Sequence, residues 1–267
     1  MGAALVALAT AVPCSAQSLA YSPSQGESFR YRTRNQLTVT QQILESRNHY
    51  TLRADGIVRL TLMNPGPRLL WRLGYEELNL RVEGAFPSPR AEGLRGAVVT
   101  LATTPQGVVL EALASGVVSP GIGTQYVERA AAAFLPRLPE RAATPGAVWT
   151  DTLLVTEVLQ GVTAEVTTIL RYTVADTSAL AGRPVVPVEY TGTISVTGAG
   201  VVEGSRIEVN GNGRVNGHYL FDPVDRVFDL HEQEQVLEST LTLVSPERRT
   251  VGIPSRQVLQ ARSERLF

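Results

Sequence analysis

Long stretches of this chain alternate apolar and polar residues with period two, and no other feature restricts its folding so strongly. Phe29, Tyr31, Leu37 and Val39 share one parity, while Arg30, Arg32, Arg34, Gln36 and Thr38 take the other. Ala164, Val166, Leu170, Tyr172 and Val174 alternate in the same way with Thr163, Glu165, Thr167, Arg171 and Thr173. So do Val186, Val188, Tyr190, Ile194 and Val196 with Pro187, Glu189, Thr191, Thr193 and Ser195, and shorter examples are Val58, Leu60, Leu62 and Leu78, Leu80, Val82. Such segments predict strands with one buried and one wet face, hence an antiparallel sheet, because strands buried on both faces read as continuous apolar runs.

One helix is expected, over 125–135. Thr124 stands at the N-cap position, alanine fills the middle, and Val127, Ala131 and Phe134 fall on one side, before Pro136 and Pro139. It sits in a stretch rich in glycine, proline and alanine, 115–145, which reads as a connector. The segments either side of it share local patterns. Gly26-Glu27-Ser28-Phe29 opens the first strand, and Gly146-Ala147-Val148-Trp149 opens the first strand after the connector. At nearly the same offset, the turn at Thr104-Pro105-Gln106-Gly107 is matched by Asp222-Pro223-Val224-Asp225. The expected organisation is therefore a signal at 1–16, a first β repeat at 17–114, the connector, and a second β repeat plus C-terminal strands at 146–267. The fold class is mainly β: two pseudo-repeated antiparallel meanders forming a barrel, half-barrel or sandwich. In the tail, 251–259 reads as a strand interrupted by Pro254, which suits a sheet edge.

The N-terminus reads as an export signal. Ala3 to Ala9 form a short apolar core, Pro13 breaks it, and Cys14-Ser15-Ala16 places small residues before a cleavage point between Ala16 and Gln17. No arginine or lysine precedes Arg30, which leaves room for a start upstream of Met1. Cys14 has the small-residue context of a lipidated cysteine, but Pro13 directly before it departs from that pattern. Export to the periplasm or the extracellular space is expected ahead of a lipid anchor. No later stretch approaches the ~20 apolar residues of a membrane helix.

Composition closes several function classes. The net charge is −1 and charged residues make up 18%, so no basic footprint for nucleic acid exists. All 24 basic residues are arginine, which excludes the usual phosphate-loop lysine and Schiff-base chemistry. The single cysteine, Cys14, lies in the signal, so the mature chain has no disulfide and no thiolate nucleophile. The fold must stand on packing.

The remaining candidates for chemistry read as structure. His49, His218 and His231 lack metal-ligand spacing. Asn210 to His218 is glycine-rich without the strand-to-helix context of a phosphate cradle, and reads as a strand bulged or closely approached by a neighbouring backbone. Asp222 and Asp225 read as a turn, and Glu232 and Glu234 as a solvated strand face. No G-x-S-x-G elbow is present. An outer-membrane barrel is disfavoured by Arg265 and Ser263 on what would be the apolar parity of a terminal strand.

Phe134-Leu135-Pro136-Arg137-Leu138-Pro139, the Gly146-x-x-Trp149 strand start and Phe221-Asp222-Pro223 before a strand, all within an exported β meander, resemble bacterial secreted and lipoprotein families of unknown function. The resemblance implies a β-rich envelope protein and carries no catalytic residues.

Two functional readings follow. In one, a curved sheet encloses an apolar space lined by Phe29, Tyr31, Tyr172, Val188, Tyr190 and Ile194, and an exported, non-enzymatic protein binds or carries a hydrophobic small molecule or lipid. In the other, the sheets form a filled structural module whose partner is another envelope protein. Neither reading calls for a cofactor, metal or catalytic residue.

Overall fold

The computed structural model describes residues 18–43, 45–84, 96–116, 124–141, 143–159, 161–246 and 249–267. The signal, Cys14 and the junction between Ala16 and Gln17 lie outside these. Five strands precede the helix: β1 (Ser28–Ile43), β2 (Ser46–Asn64), β3 (Leu69–Gly84), β4 (Val98–Thr103) and β5 (Val109–Ser115). The helix α1 (Thr124–Ala132) follows. Then come β6 (Val148–Leu159), β7 (Val162–Val174), the short β8 (Ser178–Leu180), β9 (Arg183–Val202), β10 (Ser205–Asp222), β11 (Val227–Val244) and β12 (Thr250–Leu266).

All strands join one antiparallel sheet in the order β5-β4-β3-β2-β1-β12-β11-β10-β9-β7-β6, with β8 hairpinned onto β9. The sheet is not closed: β5 and β6 are its two edges. It is also strongly curled. Val58, Trp71 and Leu101 from one half share a single core with Leu170, Tyr172 and Val188 from the other, although seven strands separate β4 from β7 in the sheet. The mainly β fold expected from the alternation is therefore realised as a single continuous sheet wrapped around its apolar face.

The inside of the curl is filled at one end. Tyr21, ahead of β1, meets Trp71 edge-on at 6.1 Å and Phe221 at 5.8 Å, and its hydroxyl donates to the Pro136 carbonyl at 2.9 Å. Phe134 packs edge-on against Tyr31 at 5.2 Å and against Phe228 at 5.4 Å. Aromatic pairs of this kind add to the burial energy because ring edges meet ring faces. The helix buries Val127 and Ala131, as its spacing predicts, and packs on β4 and β5. It is shorter than expected. Phe134 N–H already reaches back only three residues to Ala131 O, because Pro136 offers no amide to continue the ladder and biases Leu135 out of helical geometry.

The two matching strand starts adopt the same turn. Gly26 and Gly146 sit at φ +81° and +79°; their amides donate to Leu62 O and Val174 O, each at 2.8 Å. The return bonds, Leu62 N to Glu27 O and Val174 N to Ala147 O, are both 3.0 Å. The later pair of turns also agrees in its local bonding. Thr104 Oγ1 accepts from the Gln106 amide, and Asp222 Oδ1 accepts from the Val224 amide, two residues on in each case.

One expectation needs correction. β12 is not a sheet edge, because it pairs with β1 on one side and β11 on the other and so joins the two halves. Pro254 is tolerated for a local reason: it pairs with Thr240 of β11, but the ladder to β1 only begins at Ser255, opposite Gln41. No partner on that side asks for the missing amide.

Candidate functional site

The six residues expected to line an apolar space, Phe29, Tyr31, Tyr172, Val188, Tyr190 and Ile194, all lie on the inner face of the sheet, buried in one cluster. Around them runs an aromatic row. Trp149 of β6 stacks on Tyr172 of β7 with centroids 4.8 Å apart and planes only 4° from parallel, and Tyr172 meets Tyr190 of β9 at 5.4 Å. Tyr190 then reaches across β10 to β11, where its hydroxyl lies 2.8 Å from His231 Nε2 and 3.2 Å from Gln233 Oε1. Gly217 makes that crossing possible. A Cβ there would stand 2.5 Å from Tyr190 Cζ and Oη, so the glycine-rich run of β10 is a strand cleared for a neighbour's ring and backbone.

Burial raises the phenols of Tyr31, Tyr172 and Tyr190 far above the ordinary tyrosine value, so they serve as neutral hydroxyls. His231 is pushed down to about 4, first by burial and then by the nearby His218, which keeps its imidazole uncharged at neutral pH.

At its outer end the row opens into a cavity of about 340 Å³, at the seam where β6 faces the connector and the turn between β4 and β5. Its walls include Trp149, Leu138, Ala143, Ala147 and Val108, with Gln106, Arg137 and Asp151 supplying polar groups. Arg137 and Asp151 face each other at 4.0 Å, too far for a direct hydrogen bond, and both are partly exposed. The arrangement offers an aromatic ring, an aliphatic wall and the loosely engaged guanidinium of Arg137, with Arg141 and Glu140 also on its rim. None of the six expected residues lines this cavity. Tyr172 approaches it only through Trp149.

Beyond the filled end, the inner face continues as a half-buried apolar surface comprising Leu37, Leu52, Leu80, Val82, Leu237 and Leu259. Among the described residues no helix covers it, since α1 packs only on β4 and β5. The outer face is polar over β1 to β3, where Arg30, Arg32 and Arg34 project from β1 and Arg59 and Arg30 share Glu76, and carries exposed Leu154 and Ile169 towards the β6 edge. This polarity, apolar inside and charged outside, is the reverse of a lipid-facing barrel. Among the described residues no helix is long and apolar enough to cross a membrane.

No family model matches the sequence, and no curated protein matches it. Several solved structures are similar in outline. A BenF-like porin from Pseudomonas fluorescens Pf-5 is 10% identical, with a TM-score of 0.28 over 91% of this chain and 100% of that one. Pseudomonas aeruginosa OccK2 (OpdF), in complex with glucuronate, is 7% identical, with a TM-score of 0.28 over 91% and 100%. The outer membrane protein OprD from Pseudomonas aeruginosa is 8% identical, with a TM-score of 0.25 over 93% and 97%. Likeness at this level carries no argument about function.

Proposed function

We propose that this chain is an exported, non-enzymatic protein of the cell envelope that binds a hydrophobic or amphipathic small molecule at the seam of its open sheet. The observation that carries the reading is the cavity of about 340 Å³ walled by Trp149 and Leu138, which falls in the size range of small-molecule pockets and sets an apolar wall beside the polar Gln106, Arg137, Glu140, Arg141, Thr150 and Asp151, as an amphipathic ligand requires. The half-buried inner surface supplies an apolar continuation for a longer ligand. Export rests on the apolar run and small residues ahead of Gln17.

Trp149 makes the reading directly testable. Replacing the buried Trp71 with Phe leaves Trp149 as the single tryptophan, and 1-anilinonaphthalene-8-sulfonate, an aromatic probe with one anionic group, should quench its emission saturably. Trp149→Ala should abolish saturable probe binding while the protein stays folded by circular dichroism. Unchanged probe binding in that variant would remove the seam as the site. Native mass spectrometry of protein from the periplasmic fraction should show a chain beginning at Gln17.

A second reading, an interaction module paired with another envelope protein, is favoured by one observation. Exposed large apolar residues gather on the two edge strands: Leu110 and Leu113 on β5, and Val148, Leu154 and Val155 on β6.

A further inference from the structure

Away from the seam, five charged side chains meet where the end of β12 reaches the turn between β10 and β11. Arg183, at the start of β9, pairs with Asp222 and Asp225. Arg265, near the end of β12, pairs with Asp225 at 2.6 Å, Asp229 at 3.2 Å and Asp222 at 3.7 Å. Phe29 and Phe267 cover the Arg265 guanidinium at 4.6 and 4.9 Å from their ring centres. Asp222 is 0% exposed and Asp229 2%, while Asp225 and Arg183 are partly exposed, so the network is buried on its inner side.

The charges do not balance. Three carboxylates face two guanidiniums, and burying the excess negative charge is costly. The three carboxylates are unequally served. Asp222 Oδ1 accepts the Val224 and Asp225 amides at 2.7 and 3.1 Å, while its Oδ2 faces both arginines. Asp225 Oδ2 is shared by both arginines. Asp229 has a single bond, to Arg265, and its buried Oδ2 has no partner. Among the described residues no group of three or more His, Cys, Asp and Glu is arranged to hold a metal ion.

We infer that the cluster is a proton-loaded latch, in which Asp229 Oδ2 holds one exchangeable proton in the folded protein and loss of that proton loosens the end of β12. The backbone shows why the latch matters there. The ladder from β12 to β11 ends at Glu264 opposite Leu230, and just beyond that point the Arg265 side chain bonds to Asp229 of β11, while the ladder to β1 runs on to Leu266. The other groups facing Asp229 are Tyr31 of β1, whose hydroxyl donates to Phe228 O at 2.8 Å, and Arg183 across the turn. Burial raises the Asp229 carboxyl above its ordinary value despite Arg265, whereas hydrogen bonds from Arg183 and Arg265 outweigh burial and lower Asp225. The sign follows: the folded chain binds the Asp229 proton more tightly than the unfolded chain. The latch is closed in acid and opens as pH rises through the folded-state titration of Asp229.

The test uses the mature full-length chain and Asp229→Asn, which mimics the neutral carboxyl. Carboxyl-carbon NMR of the unmodified protein should show Asp229 titrating above the other aspartates. Hydrogen exchange, corrected for the intrinsic pH effect, should show protection of the 264–266 amides falling with pH in the wild type and staying flat in Asp229→Asn. The urea midpoint of the variant should match wild type in acid and exceed it increasingly towards neutral pH. An Asp229 that titrates at or below the ordinary aspartate value in the unmodified chain overturns the inference, and so does a folded variant that is less protected than wild type. That measurement on the unmodified chain decides the question even if the variant is lost.

Discussion

The hydroxyl of Tyr190 on β9 lies 2.8 Å from Nε2 of His231 on β11, and the two side chains meet over the bare backbone of Gly217 on the strand between them. Tyr190 also donates to Gln233 Oε1, so a chain from His231 Nε2–H through Tyr190 to Gln233 satisfies all three groups when the imidazole is neutral. A polar contact is thus built into an otherwise aromatic layer, and it ties three strands together at the level of the seam.

This contact gives the fold an acid limit. Because His231 is pushed down to about 4 in the folded protein, against about 6.5 when unfolded, the unfolded chain binds protons more readily in between. Stability from His231 is fully present above pH ~6.5 and is lost as pH falls through that window to about 4, by up to about 3 kcal/mol. His231→Gln, measured by urea denaturation at a series of pH values, should flatten this part of the profile. An unchanged slope between those limits would show that the imidazole is free to charge in place.

Gly217→Ala should break the same contact from the other side. The added methyl would stand 2.5 Å from the Tyr190 ring tip, so the ring must swing away or the strands must part. Overpacking of this kind typically costs about 1–3 kcal/mol. The variant should also raise the folded-state pKa of His231 towards its ordinary value, readable from imidazole NMR, because an imidazole that loses its packed neighbour regains water.

The paired turns make a matched prediction. Gly26 and Gly146 share positive φ, and neither has an atom within 4 Å of a would-be Cβ, so a side chain meets no clash and only the backbone conformation is penalised. Gly26→Ala and Gly146→Ala should each cost about 1–2 kcal/mol. Thermal denaturation giving strongly unequal losses would mean the two turns differ in how they are held.

What could be read in advance divides by range. Period-two patterns placed β1, β7 and β9 and their buried parity correctly, since Tyr31, Leu170, Tyr172 and Val188 all face inward in the core. Val166 shares that face but is only half-buried, packed against the cluster, because the filled end does not reach so far. The order of strands was beyond local pattern: β12 lies beside β1 at opposite ends of the described chain, and nothing in either segment encodes the other. The seam cavity depends on how the connector meets the β6 edge, again a long-range fact. The latch left one trace, Arg265 on the apolar parity of its strand. That trace argued against a membrane barrel but could not name Asp222 and Asp229 as its partners, because they lie more than thirty residues away.

The β6 edge yields the last expectation. Edge strands in soluble proteins are usually blunted by lysine, proline or a bulge, and β6 has none of these along Val148 to Leu154. Leu154 is 65% exposed and projects from the outer face beside Ile169 of β7, which is also exposed, while among the described residues no strand pairs with the free side of the edge backbone. An unpaired ladder flanked by apolar side chains favours pairing with another strand, so the wild-type chain should associate as concentration rises. Leu154→Arg places a charge on that surface without touching the core, and a substitution at so exposed a position should change folding stability by no more than about 0.5 kcal/mol. Light scattering coupled to size exclusion should therefore show association in the wild type, reduced in the variant at equal urea midpoint. A wild-type chain that stays monomeric over the accessible concentration range would show that the edge is protected in solution, and would weaken the interaction-module reading while leaving ligand binding at the seam untouched.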